Sequence, residues 1–315
     1  MKSWKIGAIA GLIAGIISGI IWIIIGVPLI FKLANAGYVA LYYWLPPPPE
    51  TPFIRIAMAE IPIFIIWGTI LGILYSRIQD LIPGKGISKG LIFGLGFYLI
   101  TSVRLAIILL PYGLIFDAYT GLLNFHPIIY GLLLGIFYKA PKEKLKINKH
   151  EIMSGIIPGV ITGLIYGIAV EIMLVLSAYF GTTFGFMETY PDYLTDFGFI
   201  IGQWGSHMLI NMILWGILGA WYAMFYDRIP GKGIVKGSIF GLVYYFFTSF
   251  RVGLLCLAYG SLSNALWAGL IAVDLFILGG LVLEGIYNKR SRTRVFLLAG
   301  IVFIIGIIRS MIPLG

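Results

Sequence analysis

The sequence predicts an all-α polytopic membrane protein: two parallel (same-orientation) four-helix tandem repeats plus a ninth C-terminal transmembrane helix. Three observations predict it. The first is composition. Of 315 residues, 60% are hydrophobic and 11% charged, with mean hydropathy +0.99, whereas a soluble domain is about a quarter charged. Apolar runs of bilayer length, roughly 20 residues, recur along the chain. Backbone groups in lipid must be satisfied internally, so helices and closed barrels are the only choices. Runs that are continuous, not alternating, select helices.

The second observation is a duplication. The stretch Ile82-Pro83-Gly84-Lys85-Gly86, running to Thr101-Ser102-Val103-Arg104, recurs from Ile229-Pro230-Gly231-Lys232-Gly233 to Thr248-Ser249-Phe250-Arg251, 147 residues later, with 16 of 23 positions identical. The third is charge placement. Seventeen of the 22 Lys and Arg fall at 2–5, 77–89, 139–149, 228–236 and 289–294. These segments alternate with connections that carry almost no basic charge, which is the positive-inside pattern. The net charge of +9 therefore reflects topology, and no nucleic-acid partner is expected.

The first predicted helix, about 5–31, starts in the cytoplasm and carries Gly7, Gly11, Gly15 and Gly19. Small residues four apart line one stripe and let a neighbouring backbone approach. The run is too long for a signal-peptide core and is read as a retained helix. An outer segment follows, with Tyr38, Tyr42, Tyr43 and Trp44 before four prolines, 46–49; the prolines exclude helix and the aromatics suit the headgroup region. The second helix, about 54–76, returns inward. In the inner loop Pro83 stops a helix, and Gly84 and Gly86 permit a tight turn. The third helix (87–110) turns outside at Pro111-Tyr112-Gly113, and the fourth (118–139) ends the first repeat, 1–138.

After a basic cytoplasmic linker, 139–150, the order repeats over 151–288. The fifth helix (152–179) carries Gly155, Gly159, Gly163 and Gly167, and an outer segment holds Phe184, Phe186, Tyr190 and Tyr193. The sixth to eighth helices are expected at 196–226, 234–258 and 264–287. The segment 289–315 holds a basic cluster and the ninth helix (295–312). Four spans per half make the repeats parallel. The expected topology is multi-pass in the cell membrane, N-terminus cytoplasmic and C-terminus outside. Scarce Asn, Gln and Cys with abundant Ile is a thermophile's usage.

Ionisable groups inside a span cost roughly 2.5–3.5 kcal/mol each on insertion scales, so they should face protein or water. Counting ~1.5 Å per residue places a polar layer in the outer half: Arg104 and its copy Arg251, Glu60 and its counterpart His207, Glu171, Asp117 and its counterpart Asn264, with Gln203 and Asn211 one turn either side of His207, and Asp274 nearer the midplane. Arg104 is expected to pair with Glu60 or Asp117, and Arg251 with Glu171. Glu284 is read as an interfacial ion-pair partner beside Lys289.

Two readings of this layer follow. In one, each Arg neutralises a carboxylate and ties helices together. In the other, Arg104 and Arg251 face a small polar, anionic or lipid-like solute in an outward-facing polar cavity near the repeat interface, as in a transporter or permease. The exchange of Glu60 for His207 removes a carboxylate from one copy only, which favours specialisation of one half. Histidine ordinarily changes charge near neutral pH; the plainer role for His207 is a hydrogen-bonded core residue. A different class altogether is a non-catalytic membrane subunit or scaffold that docks a membrane protein partner through its glycine stripes, outer aromatics and extra helix.

Catalysis has little support. The three histidines, His126, His150 and His207, lack HExxH spacing, no G-x-S-x-G is present, and Cys256 is alone, so no metal, haem or other cofactor is expected. Gly-Lys-Gly lacks the Gly-Lys-(Ser/Thr) ending of a phosphate loop, and Lys85 and Lys232 are read as inside anchors.

Overall fold

The computed structural model describes residues 3–36, 53–103, 106–107, 122–139, 149–180, 197–250, 254, 273–289 and 292–312. Among them every regular element is helical. Residues 140–148 of the linker 139–150, the proline run and both outer aromatic segments lie outside the described residues. The chain divides into two compact units, Met1–Lys146 and Ile147–Gly315.

In the first unit, α1 (Ser3–Ile21) passes through a π-helical turn, Trp22–Gly26, into α2 (Val27–Asn35). The cause is Pro28, which has no N–H to continue the ladder. Just before it the ladder widens, and Val27 N–H reaches the carbonyl of Trp22. Helix α3 (Phe53–Ile78) runs antiparallel to α1. Glycines set the approach: a Cβ on Gly7, Gly11 or Gly15 would lie closer than 3.0 Å to the carbonyl of Gly72, Gly68 or Phe64 respectively. Helices α4 (Ile87–Tyr98) and α5 (His126–Phe137) pair in the same way through Gly90, Gly94, Gly131 and Gly135. In lipid there is no hydrophobic force between helices, so close van der Waals packing of small residues supplies the association. Aromatics fill the space between the two pairs: Trp67 on Phe97 with centroids 4.6 Å apart, and Tyr75 against Phe93 and Tyr138 at 5.2 Å each.

In the second unit, α6 (Lys149–Tyr179) packs antiparallel on α7 (Phe197–Phe225), with Gly155, Gly159 and Gly163 against the carbonyls of Gly219, Trp215 and Asn211. Helix α8 (Ile234–Phe247) packs on α9 (Val273–Tyr287) through Gly237, Gly241 and Gly280. The last helix, α10 (Arg292–Ser310), lies on α9 and α6, joining Val295 and Ala299 to Ala169, Leu278, Leu281 and Val282.

The Ile-Pro-Gly-Lys-Gly segment adopts one conformation in both places. Proline forces the preceding residue to be extended, and Ile82 and Ile229 lie at φ −84°, ψ 126° and φ −74°, ψ 122°. Gly84 and Gly86 then take φ 96° and 50°, and Gly231 and Gly233 take 87° and 52°, values that only glycine adopts cheaply. Lys89 and Lys236 turn back to cap the preceding helix: Lys89 Nζ donates to the Gln79 carbonyl at 2.7 Å, and Lys236 Nζ to that of Tyr226. A cation at a helix C-terminus answers its unpaired carbonyls and its dipole. Lys236 is buried, with Nζ also 3.5 Å from the Tyr226 ring centroid.

Among the described residues, five stretches are long and apolar enough to cross a membrane: Ser3–Leu29, Glu60–Leu81, Ile152–Met173, Trp204–Arg228 and Arg292–Ser310. Their outer faces are apolar. Ile157 is 69% and Leu297 70% exposed, in rows with Met153, Ile161, Ile301 and Ile305. Apolar rows of this extent suit lipid, not water.

Two expected helices are distorted at the same motif, with helical residues again at 106–107, 249–250 and 254. The runs 87–110 and 234–258 read as unbroken, but the regular α-ladder ends at Tyr98 and at Phe247. After Tyr98 a π-helical turn spans Leu99–Val103, and Thr248 leaves the α ladder at φ −111°, ψ −78°. Both breaks fall on the duplicated Thr-Ser. In the first unit Thr101 Oγ1 donates back to the Phe97 carbonyl at 2.9 Å, and Ser102 Oγ donates to the carbonyl of Asn124 at 2.9 Å. Hydroxyls that compete for backbone carbonyls bend helices.

Candidate functional site

The predicted polar residues that the structure brings together lie in the second unit. Glycines hold α6 against α7, so side chains one turn beyond Gly163 and Gly167 meet directly. There Glu171 Oε1 bonds His207 Nδ1. Glu171 is wholly buried and His207 is 5% exposed. One turn along α7, Asn211 Nδ2 donates to the His207 carbonyl at 2.9 Å. Among the described residues, no hydrogen-bond donor reaches the second carboxylate oxygen of Glu171. The partner anticipated for Glu171 was Arg251; its partner in the fold is His207, and Arg251 lies outside the described residues.

Asp274, in the first turn of α9, pairs with Arg309 of α10, Nε to Oδ2 at 3.0 Å, and takes the Leu275 N–H at 2.8 Å. Gly306 leaves room for this contact, since its Cβ would meet Met173 and, at 3.1 Å, Asp274 Oδ2. Arg309 Nη2 also lies 3.9 Å from Met173 Sδ, two residues beyond Glu171. Two polar pairs therefore neighbour one stretch of α6. Arg309 was missed in the sequence because the ninth helix has no duplicate to compare it with; an arginine ending an apolar run was the available signal.

This pair yields a stability prediction. Both side chains are 11% exposed. Arg309→Ala strands a buried carboxylate and should cost ~3 kcal/mol. The double variant Asp274→Asn/Arg309→Leu should recover most of that loss. Thermal denaturation in mild detergent reads both.

In the first unit Glu60 is buried on α3. Arg104, Asp117 and Asn264 lie outside the described residues, as does the side chain of Gln203 on α7. His126 occupies an aromatic cage, its ring centroid 5.1 Å from Phe64, 5.6 Å from Trp67 and 5.7 Å from Trp22, with Nδ1 2.5 Å from Asn124 Oδ1. Among the described residues no three of His, Cys, Asp and Glu converge as metal ligands.

Glu284, expected as an interfacial ion-pair partner, is completely buried within the protein. Tyr222 Oη donates to its Oε2, and Asn288 Nδ2 to its Oε1 at 3.0 Å. The face of α9 that carries it turns toward α8, where Gly237 leaves room beside the Glu284 Cβ.

Comparison with family models, with curated proteins and with solved structures returns no match.

Proposed function

We propose that this chain is an integral membrane transporter for a small polar, anionic or lipid-like solute, with the Glu171–His207 pair at its binding layer. The observation that carries the reading is Glu171. A carboxylate kept only for structure is normally satisfied at both oxygens, because an unmet acceptor in a low dielectric costs about 1–3 kcal/mol. Glu171 sits wholly inside an apolar helix pair with one oxygen unmet. Ionisable residues at such depth most often mark a solute or ion path.

A second support is the distortion of both helices just before Arg104 and Arg251, a π-helical turn at Leu99–Val103 and a departure from α geometry at Thr248. Irregular turns inside helices frequently mark functional sites. The topology proposed with it is nine spans, two parallel four-helix repeats and a single added helix, N-terminus in the cytoplasm and C-terminus outside. The matched geometry of the two Ile-Pro-Gly-Lys-Gly segments supports the duplication.

The test is a thermal-shift panel of carboxylates, amino acids, phosphate monoesters and short-chain lipids on the purified protein. At least one class should raise the melting temperature. Glu171→Gln, Arg104→Ala and Arg251→Ala should each weaken that shift without loss of monodispersity. A flat response across the panel refutes the reading.

A further inference from the structure

We infer that the Glu171–His207 pair carries the proton that drives transport, an inference that rests on the transporter reading above. The argument compares two helix pairs of one design. Helices α6 and α7 meet through Gly155, Gly159 and Gly163; α1 and α3 meet through Gly7, Gly11 and Gly15, against backbone atoms displaced by the same 147 residues. In the first pair the residues matching Glu171 and His207 are Ile23 and Glu60. An Ile cannot pair with a carboxylate, yet α1 and α3 pack in the same register. The acid–imidazole contact is therefore dispensable for holding such helices together, and its burial cost calls for another use.

The chemistry suits a proton. Carboxylate and neutral imidazole together carry one negative charge. One added proton, shared between Oε1 and Nδ1, makes the pair neutral. Among the described residues, the charged groups that face α6 from the helices packed on it are Asp274 of α9 and Arg309 of α10, which cancel one another at 3.0 Å, and Tyr166 lies on α6 itself. Beside α6 the net charge among these groups therefore follows the occupancy of the pair. A buried layer tolerates the neutral form, and the charged form favours an arrangement that lets water or a counter-charge reach it. The unmet Oε2 is the place for that contact.

The test uses the full chain in liposomes loaded with a pH-sensitive dye. The probe is whichever panel compound gives the largest thermal shift, added outside. Wild-type protein should acidify the lumen as the solute enters. Glu171→Gln should retain a thermal shift, weakened but measurable, while acidification slows at least tenfold; His207→Gln serves as the second variant. Solute entry by the wild-type protein with no pH change overturns the coupling and leaves the transporter intact. So does undiminished acidification by Glu171→Gln. A flat panel removes the transporter and the coupling with it.

Discussion

Gly11→Val will drive α1 away from α3 and leave little folded protein under conditions where the wild-type chain is stable. At Gly11 even a single Cβ would lie closer than 3.0 Å to the Gly68 carbonyl and to the Cα and N of Gly72. All three are backbone atoms, so no rotamer change relieves the clash, and the helices must separate. Overpacking a core costs about 1–3 kcal/mol where side chains can adjust; here they cannot, and the loss should exceed ~3 kcal/mol. Separation also removes the contacts of Gly7 and Gly15, because the three glycines share one register. A control lies on α10. Nothing comes within 4 Å of a Cβ at Gly300, so Gly300→Ala should be neutral or stabilising by up to ~1 kcal/mol through helix propensity. Retained monodisperse yield and melting temperature in detergent, compared across both variants, decide the matter. A folded, wild-type-like Gly11→Val would refute the backbone-contact account.

The second expected result concerns a large residue and a glycine that have exchanged places. In the first unit Tyr130 of α5 is buried and its hydroxyl donates to the Gly68 carbonyl of α3 at 2.7 Å. In the second unit the residue 147 beyond Gly68 is Trp215, and the residue 149 beyond Tyr130 is Gly279. Trp215 is fully buried, and a Cβ on Gly279 would strike its ring. Either way one large aromatic lies buried beside a glycine of the facing helix. Trp215→Gly alone should cost about 3–5 kcal/mol through the cavity it opens. Gly279→Tyr alone should fail by collision. The double variant, which copies the first unit's arrangement, should regain at least half of the loss of either single change, read by melting temperature. No recovery would mean that the two gaps differ in shape and that the exchange is coincidental.

Much of this fold was legible because its signals are local. The apolar runs of about 54–76 and 196–226 became Phe53–Ile78 and Phe197–Phe225, since a span length follows from bilayer thickness. The Pro-Gly-Lys-Gly turns were legible because proline and glycine restrict or free their own dihedrals. The breaks at Tyr98 and Phe247 were not. They follow no proline, and the widened turn of the first unit is secured by Ser102 reaching the Asn124 carbonyl, a contact between residues 22 positions apart.

The polar layer divides along the same line. Among the described residues, sequence alone determined where the long apolar helices lie, which of their faces are glycine, and that Glu171, His207, Asn211 and Asp274 belong inside an apolar protein, because these are properties of residue type and spacing along one helix. It did not determine who meets whom. That Glu171 takes His207, that Asp274 takes Arg309, and that Glu284 turns inward to Tyr222 depend on the register between helices. A slip of one turn, ~5.4 Å, would hand each charge a different neighbour. The register is set where glycine lets two backbones touch, and only the folded helix pairs decide it.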